Sequence, residues 1–556
     1  MLLLTFLERI LLLVGALVLI GQAYLNFYPS LRRCAFARPD AGAPRHAEHK
    51  ATSINVANHS LAPFRLLALG DPQLEGDSSL PNPKESLLQS LVDVWTNRVN
   101  YDSPFGFARD FRQAFYVLLT EDLPQLFKYY RKRLDLLGND YYLGQIYKTI
   151  RRTTQPTHIT ILGDLLGSQW ISDEEFGRRS NRFWATVFAD ALRVEDHLMI
   201  EPSTQNLGED LNWSRRLINV AGNHDVGYAG DMTEERVQRF ESHFGKANWE
   251  VRFQLPSEQL KDAHDKIQSV PELRLIVLNS MNMDSPAFDA SLQQQTYDFL
   301  NKAITTSRPV EDRSSATILL THLPLYKEAG VCVDGPMFNF WGSEYGGGVR
   351  EQNHLSYEAG KGILEGLYGM SGNANAPGHG MGRNGVILNG HDHEGCDTYH
   401  YISAHTNGNG GEWKAMRSNE ASSIASDNHV PGVREITVRS MMGDYGGNAG
   451  LLSGWFDTDI GEWRFEYKTC PLGKQHIWWA VQVLQLIGLL LCFCILILLV
   501  SKRARRQSVQ VTDGKKAGPP ARKIPTRNGF STGLDASVGR RANGRVPKPV
   551  NRQAMS

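Results

Sequence analysis

The chain has 556 residues, 41% of them apolar, and a formal charge of zero, which is ample material for a large buried core and excludes a small scaffold held by disulfides alone. The zero hides an asymmetry, because residues 501–556 carry 14 Lys plus Arg against Asp513 and Asp535, leaving 45 basic and 57 acidic residues in the first 500. An acidic body binds polyanions poorly, which argues against a nuclease or any nucleic-acid partner.

The first predicted element is an apolar run, Ile10 to Tyr24, preceded by Glu8 and Arg9 and followed by Arg32 and Arg33. It is long and no small-x-small cleavage site stands out, so residues 1–30 are read as an uncleaved signal anchor, with a cleaved signal peptide as the alternative. Either places the central region of the chain in a secretory lumen, where the sequons at Asn58 and Asn212 are usable glycosylation sites.

Five later runs share one pattern: "RLLALGDPQ" ending at Gln73, "HITILGDLLG" with Asp164, "RLINVAGNHD" with Asn223 and His224, "ATILLTHLPL" with His322, and "GVILNGHDHEGC" with His391 and His393. Each is a near-continuous aliphatic run, as in strands buried on both faces, broken by Gly or Thr and then by a polar residue of metal-ligand type. Helical patterns lie between them, at 173–192 and 291–304, and Arg434 to Met442 reads as a late strand. In such βαβ arrangements the sites gather beyond the carboxyl ends of the strands. Asp71, Gln73, Asp164, Asn223, His322, His391 and His393 therefore converge on one rim, with His224 beside them. That set holds too few cations for an ion-pair network and suits divalent metal. In extended chain, residues i and i+2 point the same way, so His391 and His393 reach one centre while Asp392 points elsewhere.

Between Gly330 and Gly385 the chain is glycine-rich and reads as loop. His354, His379 and Arg383 there are candidates to meet phosphate, and a plain surface loop is the alternative. A second span, Ile477 to Val500, has no charge, opens on Trp478 and Trp479 and closes on Lys502, Arg503, Arg505 and Arg506, so its basic end faces the cytoplasm. Residues 501–556 read as a disordered cytosolic tail. Of six cysteines, Cys492 and Cys494 sit in the second span. Cys332 and Cys396, each a few residues beyond a ligand strand, are expected to pair in the oxidising lumen, as are Cys34 and Cys470 beside the spans.

The order GD-x-Q, GD, GNHD, H, GHDH resembles the calcineurin-like metallophosphoesterase superfamily over roughly residues 64–470. "GDPQLEGD", "GDLLGSQW" and "GHDHEGCD", with a span on each side, are most similar to the lumenal enzymes that trim ethanolamine phosphate from GPI-anchor mannoses, their fungal branch above all. The resemblance implies a four-layer α/β/β/α sandwich over 60–470, a membrane helix over 477–500, and two divalent ions, Mn²⁺ in that group. It implies that Asp71, Gln73 and His393 hold one ion, that Asn223, His322 and His391 hold the other, that Asp164 bridges, and that His224 is the catalytic proton donor. Two positions depart from the pattern: Gln73, where His is common, and Gly167, where many relatives have an Asp that orients the catalytic histidine. The expected partners are the GPI glycan, the endoplasmic reticulum membrane and cargo-sorting machinery. The alternative function is a catalytically weak binding module for cargo.

Overall fold

In the computed structural model the described residues are 2–39, 61–81, 89–100, 103–256, 269–403, 411–421, 424 and 430–516. Asn58 and the tail beyond 516 lie outside them. The strands, in chain order, are β1 (Phe64–Leu69), β2 (His158–Ile161), β3 (Leu192–Arg193), β4 (Ser203–Asn206), β5 (Arg216–Asn219), β6 (Trp249–Gln254), β7 (Glu272–Val277), β8 (Ser315–Leu320), β9 (Phe338–Phe340), β10 (Val349–Gln352), β11 (Asn384–Asn389), β12 (Cys396–Ser403), β13 (Glu412–Arg417), β14 (Gly432–Thr437), β15 (Asn448–Asp457) and β16 (Glu462–Pro471). They form a mixed α/β fold with a six-stranded sheet, β16-β15-β1-β2-β5-β3, an eight-stranded sheet, β13-β12-β14-β11-β8-β7-β6-β4, and the β9-β10 ribbon.

The aliphatic runs sit at the centres of the two sheets, β1, β2 and β5 in one and β8 and β11 in the other, where both faces are covered and only apolar side chains avoid a desolvation cost. Alternate residues serve different cores. Phe64, Leu66 and Ala68 of β1 belong to one cluster with Val251, Phe253, Leu275, Ile318, Leu320 and Leu388 of the other sheet. Leu67 and Leu69 instead join Tyr142, Leu143, Ile146, Phe176 and Phe244 from the helices beside β1.

Four helices begin the chain's non-strand elements: α1 (Leu2–Leu31), α2 (Gln89–Thr96), α3 (Pro104–Val117) and α4 (Leu123–Thr154). Helix Asp173–Arg182 starts where Ser172 accepts from the Glu175 amide at 3.3 Å and three acidic residues fill its first turn, a favourable match to the helix dipole. The sequence pattern runs it to 192, but after a π turn at Phe183–Val187 the chain leaves the helix, and Leu192–Arg193 pairs with β5. The segment read as loop contains β9, β10 and a helix at Tyr357–Gly362. Helix Ala290–Thr305 lies where the pattern puts it, while β14 ends at Thr437, short of Met442.

Among the described residues two helices are long and apolar enough to cross a membrane, α1 and the one spanning Gln475–Gln507, and both are largely exposed. They touch through Gly21, where an added Cβ would lie 2.3 Å from Val481. Cys34 is joined to Cys470 across 436 residues, and Cys332 to Cys396. Asn212 is exposed in the turn Leu211–Ser214.

His158 lies between the sheets, 4.6 Å from both the Phe64 and Phe253 rings and 5.6 Å from Trp213. Burial, with the Arg65 charge second, pulls it down to about 3. The unfolded chain titrates at the ordinary value of about 6.5 and so binds a proton that the folded chain refuses, and stability falls as pH drops below that value. Replacing His158 by Phe keeps the ring and removes the titration. Urea unfolding between about pH 6 and 4 should show the variant gaining about 1.4 kcal/mol per pH unit relative to the parent, and parallel profiles would contradict the account.

Candidate metal centre

β1, β2 and β5 run parallel, as do β8, β11 and β14, so their carboxyl ends emerge at a common edge of each sheet. The two edges are stitched together by backbone. Gly70 bridges to Ser440 in parallel fashion, the Met441 amide donates to Gly70 O at 2.8 Å, and the Ser440 hydroxyl donates to Asp71 O at 3.1 Å.

Loops ending both sheets therefore place Asp164, His322 and His391 with ligand atoms within 4.8 Å of one another, and Asp71, Asp164 and His393 likewise. Asp164 is common to both groups. Asp71, Gln73, Asp164 and His391 all have positive φ, 44°, 42°, 48° and 73°, and they are four of the seven such non-glycine residues among those described. Left-handed backbone costs on the order of 1 kcal/mol or more at each such residue, and strain of this kind concentrates at functional sites. The motif glycines are there for closeness: a Cβ on Gly390 would lie 2.4 Å from Asp71 Oδ1 and 2.5 Å from Leu162 O, and one on Gly222 2.2 Å from the Asp164 amide.

The rings are locked from behind. His322 Nδ1 donates to Leu162 O at 2.7 Å, and His391 Nε2 to Gln352 O at 3.0 Å. Their other nitrogens then present lone pairs, and both face Asn223 Oδ1, at 3.0 and 3.1 Å. Burial, with the His322 charge next, brings His391 down to about 3, so its Nδ1 has no proton to offer Asn223 Oδ1 near neutral pH. Three lone-pair atoms at hydrogen-bond distance fit a cation, and the carbonyl behind each imidazole is the usual support of a metal-ligating histidine. Burial opposes ionisation of Asp164, yet the neighbouring His322 and His224 hold it at about 2. His393 Nε2 lies 3.2 Å from Asp71 Oδ2. Gln73 turns its NH₂ toward Asp164 at 3.0 Å, and a half-turn of the carboxamide would put its oxygen there instead.

His224 borders the site, with Nε2 3.9 Å from Asp164 Oδ2 and a buried Nδ1 that has no partner. Neither residue that could replace the missing Asp at Gly167 reaches it. Asp225 accepts from the Leu165, Leu166 and Gly222 amides, and Ser168 from that of Trp170.

The centre opens into a cleft of about 530 Å³ whose wall includes Trp170, Tyr228, Trp341, Arg350 and Glu351. Trp170 and Trp341 meet edge to face at 6.2 Å, and the Arg350 guanidinium lies 4.8 Å over Trp341. Sequence reasoning missed Trp341, Arg350 and Glu351, because β9 and β10 read as glycine-rich loop; the aromatic and basic residues flanking the glycines were the available signal. His354, His379 and Arg383 are placed away from the cleft. His354 is buried beside Lys327 and Glu435, His379 is exposed with Nδ1 3.2 Å from Ala374 O, and Arg383 is spent on the Leu367 and Arg308 carbonyls.

No protein-family model matches the chain. It is 32% identical over 409 residues to Protein TED1 of Saccharomyces cerevisiae, covering 64% of this chain and 76% of that protein. The Schizosaccharomyces pombe protein C23A1.02c is 28% identical over 384 residues, covering 64% of this chain and 79% of its own length. Metallophosphoesterase 1 of Mus musculus is 22% identical over 289 residues, 48% of this chain and 57% of that protein. Among solved structures, "GAP50 the anchor in the inner membrane complex of Plasmodium" matches 74% of this chain and 89% of its own at 11% identity and a TM-score of 0.28, a likeness on which nothing rests.

Gly390→Ala should lower the divalent metal retained by the purified chain after dialysis, with its circular dichroism unchanged, because the added methyl strikes Asp71. Asp164→Ala, which removes the shared carboxylate, should retain least, whereas Gln73→His should retain metal and shift preference toward Zn²⁺. Elemental analysis showing Asp164→Ala as well loaded as the parent would contradict the shared site.

Proposed function

The chain belongs to the metallophosphoesterase-like family that includes TED1, and from that premise we propose that it hydrolyses a phosphodiester, removing an ethanolamine phosphate branch from a GPI-anchor mannose in the endoplasmic reticulum lumen. The observation that carries this reading is the joining of the ligand cluster to the Trp170–Trp341–Arg350 wall in one open cleft. Aromatic faces stack on the C–H faces of sugars, and a guanidinium grips a phosphate, so a phosphorylated glycan satisfies both at once.

Two sheets sharing one core, with helices outside, are read as the four-layer sandwich over 60–470, followed by the span over 477–500. Divalent ions held at the centre supply positive charge to the phosphoryl oxygens and a nucleophilic water at neutral pH. Asp71, Gln73 and His393 would hold one, and Asn223, His322 and His391 the other, with Asp164 between them. The hard carboxamide of Gln73 favours Mn²⁺ over Zn²⁺. His224, half-exposed at the cleft, would donate a proton to the departing oxygen. Trp170 and Trp341 would fix the glycan so that this oxygen meets His224.

The basic end of the second span favours a lumenal domain and cytosolic tail. GPI glycans then lie within reach of a membrane-tethered site, with cargo-sorting machinery as a further partner. The unpartnered Nδ1 of His224 favours a second reading, a catalytically weak binding module.

Metal-dependent turnover of a simple aryl phosphodiester by the full chain, falling about 10²-fold or more in His224→Gln, would favour the enzyme; no turnover with metal bound would favour the module. Cells lacking the protein should retain an extra ethanolamine phosphate on GPI glycans by mass spectrometry. Trp341→Ala should raise KM for a GPI glycan while leaving the aryl substrate unaffected.

A further inference from the structure

The largest feature that the site leaves unused is the helical stretch from Pro104 to Thr154, in which α3 passes through a π turn at Leu118–Asp122 into α4. Leu119, Leu123, Phe127, Tyr130, Leu134, Leu137 and Tyr141 are all exposed, between 39% and 71%. Their spacing of four, four, three, four, three and four puts them on one face, about 33 Å long at 1.5 Å per residue. An uninterrupted apolar face of this length is not left in water without a partner. Arg131 and Arg133 flank the stripe, about 80° to either side of its centre at 100° per residue. Lys132 lies on the far side, bonded to Glu75 at 2.8 Å.

What covers the stripe is indicated by the rest of the same helix. Farther along that face, Gln145 and Arg152 both donate to Asn26 of α1, at 3.5 and 3.3 Å. Gly138, about 60° from the centre of the stripe, lies against Trp479, and one turn earlier Gln475 donates to Asn139 at 3.3 Å, on the far side of the helix. α1 thus leaves the body from the face that bears the stripe, and the second apolar helix passes along that face's flank. We propose that Leu119–Tyr141 lies in the headgroup layer of the phospholipid bilayer that these two helices cross, apolar face inward, with Arg131 and Arg133 extended to lipid phosphates. The inference rests on the reading of both helices as membrane spans. It also gives α4 a part in positioning the centre. Arg182 holds Asp140 of α4 through two hydrogen bonds, at 2.7 and 2.9 Å, and donates to Glu75 O at 2.8 Å. Glu75 stands two residues beyond Gln73, so a helix fixed at the lipid surface fixes the height of the Asp71–Gln73 loop.

The test is nitroxide labelling of the full chain in phosphatidylcholine/phosphatidylserine nanodiscs, with Cys492 and Cys494 replaced by Ser and single cysteines placed at Phe127, Leu134, Lys128 or Leu489. Labels at 127 and 134 should be relaxed more by oxygen than by a water-soluble nickel chelate, as should the label at 489 in the second apolar helix, while the label at 128 shows the reverse. If 489 reads lipid but 127 and 134 read water, the interfacial helix is refuted and the membrane spans stand. If 489 reads water, the spans fail and the proposal with them. Labels at 127 and 134 that are immobilised and shielded from both reagents would mean that a second copy or another protein covers the stripe, which also overturns it. Two stripe positions keep the result readable if one variant does not fold.

Discussion

The centre depends on one backbone seam. Gly70 and Ser440 end strands of different sheets, and their parallel bridge brings the two carboxyl edges together where the ligands emerge. The contact is too close for a side chain: a Cβ on Gly70 would lie 2.7 Å from Val438 O. Each sheet alone carries half a site, β1, β2 and β5 on one and β8 and β11 on the other. The seam makes the halves one, and the strained backbone at Asp71, Asp164 and His391 is tolerated because bonds on both sides of it over-determine the geometry.

A second brace lies under the eight-stranded sheet. The Glu435 carboxylate is fully buried and accepts from the Leu325 amide at 2.8 Å, from Asn389 at 2.6 Å and from Lys327 at 2.7 Å, with His400 Nε2 2.6 Å away. Leu325 follows His322 and Asn389 precedes His391, so one carboxylate registers two ligand loops. A buried ion pair adds little net stability, but removing one partner strands a charge and costs about 3–5 kcal/mol. Its evident value here is positional.

The convergence of the cluster residues was legible in the sequence because each directly follows an apolar run whose burial leaves only one edge for polar residues. The GD, GNHD and GHDH glycines were equally legible, since close approach of backbone to a neighbouring carboxylate leaves no room for Cβ. What was illegible depended on partners distant in sequence. Trp341 and Arg350 look like ordinary surface residues until β9 and β10 pair and bring them opposite Trp170. His354 looked available because its neighbours are glycine-rich and polar, yet Lys327 and Glu435 close over it. The stripe on α4 has a clean helical period, but period alone does not say whether a face meets protein core or something else.

The body is closed by its own ends. β1 pairs with β15, and Cys34 with Cys470, so the earliest strand made must wait for nearly the last. At about 5–20 residues per second, the 436 residues between the cysteines take roughly 20 to 90 s to emerge. For that interval β1 has an open edge and Cys34 a free thiol beside the growing chain. The native pairing therefore requires that this edge stay unpaired, and this thiol stay apart from Cys332 and Cys396, until the last strands are made.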